Sequence, residues 1–199
     1  MPLRQAPIRP VAGWRFRAER PDAPTLAWLL DPGSLTARLL ARAGGHFRVR
    51  ITRLCWQRPT PAEARELGMP LHERALVREV VLEGRGEPWV IARSVIPRGS
   101  LAGRNRQLRR LGNRPLGAFL FRDPTLQRRA VRFTRLPSGG RDRPPGGSGS
   151  ASAHACWGRR STFILHGHPL IVAEYFLPAL LRPGAGAGNP ADATGAVSQ

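Results

Sequence analysis

Arg78 and Glu174 are charged residues set in segments whose alternation calls for apolar ones. In Leu76-Val77-Arg78-Glu79-Val80-Val81-Leu82 the arginine shares a face with Leu76, Val80 and Leu82, because strand side chains two apart point the same way. In Leu170-Ile171-Val172-Ala173-Glu174-Tyr175-Phe176-Leu177 the glutamate shares a face with Leu170, Val172 and Phe176. Taking an ion out of water costs several kcal/mol unless an opposite charge or a ligand offsets it. Two readings follow. Either Arg78 and Glu174 form an ion pair in the core, or they mark the two ends of a closed pocket.

Two further groups could meet an anion. Residues 75–83 and 88–97 read as a hairpin around Gly84-Arg85-Gly86-Glu87. Pairing Glu83 with Pro88 sets Leu82 against Trp89, Val80 against Ile91 and Arg78 against Arg93. Adjacent arginines on an apolar face repel unless an anion lies between them, although a one-residue slip would turn Arg93 to the other face. In Pro115-Leu116-Gly117, proline at the first helical position leaves the next N–H groups without intrahelical partners. The Leu116 N–H is thereby free for an anion or carbonyl oxygen.

Other chemistry is absent. The chain has no Gly-rich phosphate loop, nucleophile elbow, paired-cysteine zinc site or dinucleotide fingerprint, so no cofactor is expected. Cys55 and Cys156 are far apart and read as free thiols in a reducing cytoplasm. His166 and His168 flank Gly167 in a tight turn rather than a metal site. The formal net charge of +19 raises nucleic-acid binding. All 32 basic residues, however, are arginine, spread along the chain without interleaved aromatics; only 104–114 is dense. No nucleic-acid role is expected, but a basic exterior would steer a small dianion inward. No apolar stretch is long enough for a membrane span, and the N-terminus lacks the order of a signal peptide.

The elements that must position these groups fit one domain. Residues 1–23 are Pro/Arg-rich and irregular; 24–181 form the domain; 138–155 are a flexible Gly/Ser/Pro insertion; 182–199 are a disordered tail. A short helix over 26–30 stops at Pro32, and Ser34 caps a second that carries Leu35, Leu39 and Leu40 and ends at Gly44-Gly45. Strands are expected over 46–57, 75–83, 88–97, 130–136, 158–165 and 170–177. A single helical turn is read over 62–67, and a helix capped by Ser100 bears Leu101, Leu108 and Leu111. Strands and helices do not alternate as a parallel sheet requires. The fold class is α+β: one antiparallel sheet of about six strands, with short helices as flaps over a buried ligand pocket.

At these residues the chain resembles the chorismate pyruvate-lyases. The carrying segments are Val77-Arg78-Glu79-Val80, Gly86-Glu87-Pro88-Trp89, Ala92-Arg93-Ser94-Val95-Ile96-Pro97, and Pro115-Leu116-Gly117 with Leu120-Phe121. Trp157-Gly158-Arg159-Arg160-Ser161 and Ala173-Glu174-Tyr175-Phe176-Leu177-Pro178 complete them, in order over roughly 24–181. The resemblance implies a six-stranded antiparallel sheet with flaps closing over the site, and no metal or cofactor. It implies that Arg78 and the Leu116 N–H bind the ring carboxylate and that Glu174 meets the hydroxyl end of the ring. Leu35 stands where the family can have a pocket methionine, a swap that keeps apolar volume.

What the resemblance implies is a lyase that eliminates pyruvate from chorismate to give 4-hydroxybenzoate, the first committed step of ubiquinone biosynthesis. A cytoplasmic monomer is expected. Arg78 and Glu174 are the candidate catalytic residues; Leu116, Leu35 and Arg93 join them in binding substrate, with Arg93 on the enolpyruvyl carboxylate. Whether Glu174 takes a proton or only orients the ring stays open. The competing class is a non-catalytic, aromatic-acid-sensing domain of the kind found in transcription regulators. Against it, only the irregular first segment precedes the domain.

Overall fold

The structure, a computed structural model, describes residues 21–136 and 156–182. The expected 138–155 insertion, the first 20 residues and the tail beyond 182 lie outside the described residues.

Six antiparallel strands form one sheet: β1 (Phe47–Gln57), β2 (Ala75–Gly84), β3 (Glu87–Pro97), β4 (Gln127–Leu136), β5 (Cys156–Leu165) and β6 (His168–Phe176), in the order β1-β2-β3-β6-β5-β4. Two hairpins fix the register at its centre. Arg85-Gly86 joins β2 to β3 and His166-Gly167 joins β5 to β6, and all four residues have positive φ. Such primed two-residue turns match the twist of the flanking strands.

Most of the helices cover one face. α1 (Ala23–Leu29) is capped by Asp22, whose Oδ1 accepts from the Thr25 N–H at 2.9 Å. α2 (Leu35–Ala43) starts at Ser34, as its sequence indicates, and ends where Gly44 turns left-handed. α4 (Leu116–Leu120) and α5 (Pro178–Leu181) are short. The segment from Ser100 to Gly112 differs from the helix expected there. It is 3-10 helical over Gly99–Leu101 and Gly103–Arg110, and the Ser100 hydroxyl donates to the Pro169 carbonyl at 2.6 Å instead of capping. Leu101, Leu108 and Leu111 are buried all the same.

The helix-covered face carries Leu76, Arg78, Val80 and Leu82 of β2; Val90, Ala92, Ser94 and Ile96 of β3; and Leu170, Val172, Glu174 and Phe176 of β6. Its apolar residues gather in two cores. One centres on Trp28, Leu39, Leu82 and Phe176, the other on Ile96, Leu108, Leu165 and Leu170. The polar residues lie between them.

Arg93 is not on that face. The Glu83–Pro88 pairing is present, but the ladder shifts between Leu82 and Glu83, so Val80 pairs with Ala92 and Arg78 with Ser94. The bulge supplies the one-residue slip that sends Arg93 across the sheet, opposite Glu79. There α3 (Pro61–Leu67) brings Glu63, which accepts from Arg93 Nε at 2.8 Å and Nη2 at 3.1 Å, while Nη1 bonds Glu79. Burial alone lowers the Arg93 pKa, but the two carboxylates outweigh it and raise the value above the ordinary one. α3 itself is a full helix with a Thr60/Glu63 capping box. No described helix is long and apolar enough to cross a membrane.

Candidate active site

Between the two cores, sheet and helices form a pocket of about 510 Å³ including its open mouth. Its floor is Arg78, Val80, Leu82, Ala92, Ser94, Val172 and Glu174; α2 and the start of α4 roof it with Leu35, Thr36, Leu116 and Gly117. Arg78, Glu174, Leu116 and Leu35 are thus brought together, and Arg93 is not among the lining residues.

Arg78 is buried, at 3% exposure, without a carboxylate partner among the described residues. Its Nη2 donates to the carbonyls of Gly112 at 3.1 Å and Arg114 at 3.0 Å, and its Nε has no partner among the described residues. Those bonds tether the turn that delivers α4. Desolvation pushes the Arg78 pKa down to about 10, because nothing described here compensates the buried charge. An anion in the pocket would.

Pro115 is the N-cap of α4 rather than its first residue, and Leu116 takes that place. No described side chain caps this end, so the Leu116 N–H has no intrahelical or capping acceptor among the described residues.

Glu174 does have a partner, and it is Arg159. The two face each other across the β5–β6 ladder, and Arg159 Nε donates to Glu174 Oε2 at 2.6 Å. Arg159 Nη1 also donates to the carbonyls of Trp28, Leu29 and Asp31 at 3.2, 3.4 and 2.6 Å, where α1 ends. A guanidinium there complements the helix C-terminus as well as the carboxylate. The arrangement fixes Glu174 while its Oε1 accepts no hydrogen bond from a described residue. Sequence alternation could have found Arg159. Extending the two-residue turn at His166-Gly167 along both strands pairs 165 with 168 and therefore 159 with 174.

The flaps touch where glycine is required by space rather than by backbone angle. A Cβ on Gly117 would sit 2.6 Å from Thr36 Oγ1. Thr36 is β-branched on a helix and yields little, so Gly117→Ala should push α4 off α2. The expected cost is about 1–3 kcal/mol, read as a Tm lower by several degrees and a higher KM. An unchanged Tm and KM would show that the flaps do not meet in this way.

Among the described residues no cluster of three or more His, Cys, Asp or Glu side chains is placed to hold a metal. The arrangement can do one thing well. It can clamp a flat, apolar ring by an anionic group at Arg78 and a hydroxyl at Glu174.

A twisted antiparallel sheet with helical flaps over such a pocket defines a small-molecule-binding α+β domain. Solved structures share that fold: PhnF from Mycobacterium smegmatis matches with a TM-score of 0.52 at 16% identity, covering 72% of this chain and 64% of that one. The ligand-binding domain of a putative GntR-family transcriptional regulator from Bordetella bronchiseptica matches at 0.50 and 18%, covering 66% and 86%. Sequence relationships are far closer elsewhere. The chorismate lyase family profile matches residues 17–182. A probable chorismate pyruvate-lyase of Methylococcus capsulatus is 45% identical over 155 residues, 78% of this chain and 95% of the relative. Another from Azoarcus is 45% identical over 169 residues, covering 77% and 84%. The chain belongs to the chorismate lyase family.

Proposed function

We propose that the protein is a chorismate pyruvate-lyase that forms 4-hydroxybenzoate and pyruvate, without metal or cofactor, as a cytoplasmic monomer. The observation that carries the reading is that Arg78, with no carboxylate partner among the described residues, and a fixed carboxylate, Glu174, line the same pocket.

In this reading Arg78 and the Leu116 N–H take the ring carboxylate. Glu174 Oε1 accepts from the C4 hydroxyl, and Leu35, Val80 and Val172 contact the ring faces. The C3–O bond breaks, the C4 hydrogen leaves, and the enolpyruvyl methylene carbon gains a proton to give pyruvate. Aromatisation drives the reaction, so the protein's main contribution is to hold one reactive conformation. The salt bridge from Arg159 supports an orienting Glu174, because one carboxylate oxygen is already committed.

Purified protein treated with chelator and given chorismate should release 4-hydroxybenzoate and pyruvate in equal amounts. Binding of chorismate without turnover would favour a sensor instead. For Glu174→Gln, an orienting role predicts a loss in turnover of roughly 10-fold or less, whereas removal of a general base typically costs ~10²–10⁴-fold. A collapse of turnover together with loss of the acidic limb of the pH–rate profile would assign Glu174 the proton.

A further inference from the structure

Arg78 is not the only cation that reaches the pocket without a carboxylate. Arg128 also lines it, and no carboxylate among the described residues lies within ion-pair distance. A β-bulge puts it there. Arg128 pairs with Phe163 and Ala130 with Thr162, so the ladder slips at position 129. The slip places Arg128 on the same face as Val131 and Phe133, which pair with Ser161 and Arg159. A regular strand would have turned it to the other face.

The guanidinium is held as a fixed fork. Nε donates to Ser161 Oγ at 3.1 Å, and Nη1 to the carbonyls of Asp31 at 3.3 Å and Pro32 at 3.2 Å. Its central carbon lies 5.2 Å from the Phe163 ring centroid. Nη2 has no acceptor among the described residues. Burial lowers the Arg128 pKa to about 10, with Arg159 adding to the effect and Glu174 and Asp31 opposing it.

Its position within the pocket decides what it can bind. Arg128 and Arg159 share the Asp31 carbonyl, so Arg128 stands beside the Arg159–Glu174 pair and away from Arg78. Arg159 is neutralised by Glu174; Arg128 is not. An anion-binding group next to the hydroxyl-binding carboxylate suits a substituent on the ring carbon adjacent to the hydroxyl. In chorismate that carbon is C3, which bears the enolpyruvyl ether.

We propose that Arg128 holds the second carboxylate of the substrate, the one that leaves with pyruvate, so that an arginine meets each of the substrate's two carboxylates and only one arginine meets the product. This rests on the lyase reading for the identity of the dianion. Arg128 thus takes the role that the sequence assigns to Arg93.

The test compares wild type, Arg128→Gln and Arg128→Lys with three compounds: chorismate, 4-hydroxybenzoate, and 3-(carboxymethoxy)-4-hydroxybenzoate, a stable mimic with both carboxylates. Arg128→Gln should weaken the dicarboxylate by about 10- to 100-fold and lower kcat/KM for chorismate at least as much. It should change 4-hydroxybenzoate affinity by less than about 3-fold. Arg128→Lys keeps the charge and should fall between; it carries the comparison if Arg128→Gln does not fold. Equal weakening of the mono- and dicarboxylate, or of neither, overturns the proposal. If wild type does not turn over chorismate but its preference for the dicarboxylate depends on Arg128, the lyase reading fails and the carboxylate site stands. If wild type makes 4-hydroxybenzoate and the two ligands respond alike to Arg128→Gln, the reverse holds.

Discussion

Arg78→Ala should lower kcat/KM for chorismate by about 10²–10³-fold and weaken 4-hydroxybenzoate by a similar factor, because both ligands lose a charge-assisted fork on the ring carboxylate. The parallel loss separates Arg78 from Arg128, whose removal should spare the product. Stability should respond differently from activity. The substitution leaves the Gly112 and Arg114 carbonyls without a donor but also removes a buried cation with no described counter-charge. Burial lowers its pKa to about 10, so the charged form is held at a cost throughout the neutral range. The two effects oppose, and the Tm should shift by only a few degrees. Arg78→Lys should restore only part of the activity, since a point charge does not reproduce the planar fork. Near-normal turnover in Arg78→Ala would remove the residue from the site.

Arg159→Met should be the most damaging substitution for stability. Arg159 is 1% exposed, and removing it strands the Glu174 carboxylate and three carbonyls at the end of α1. Breaking one side of a buried pair typically costs about 3–5 kcal/mol, or roughly 10 °C or more in Tm for a chain of this size. Turnover should fall as well, because Glu174 is no longer held. Part of the Tm should return in Arg159→Met combined with Glu174→Gln, which removes the stranded charge; non-additivity of this kind is expected of residues in contact. A wild-type Tm in Arg159→Met would mean that the pair does not anchor α1 to the sheet.

Much of this site was legible in the sequence, and the gaps have physical causes. Arg78 and Glu174 stand out because two-residue periodicity is local and survives without knowledge of the partners. Both charges do line one pocket, but Glu174 is paired with Arg159, not Arg78. That partner was within reach of the same reasoning, since a two-residue turn fixes every pairing along β5 and β6. The facings of Arg93 and Arg128 do not follow from strand alternation, for a common reason. Each depends on a β-bulge, one between Leu82 and Glu83 and one at position 129, which inverts the facing of all residues beyond it. Bulges leave little trace in an alternation pattern. The 3-10 geometry after Ser100 is similar: leucine spacing reported burial correctly but did not distinguish helix types. Where a single turn is expected over 62–67, α3 runs from Pro61 to Leu67, and Thr60-Pro61-Ala62-Glu63 spells out its capping box.

The most direct measurement is the crystal structure of the protein with 4-hydroxybenzoate bound. The ring should lie over Ala92, Ser94 and Val172 beneath Leu35, with its carboxylate on Arg78 and the Leu116 N–H and its hydroxyl on Glu174 Oε1. Arg128 should carry no product oxygen. A ligand bound outside this pocket, or with the hydroxyl at Arg78 and the carboxylate turned toward Arg128, would contradict the assignment of its two ends.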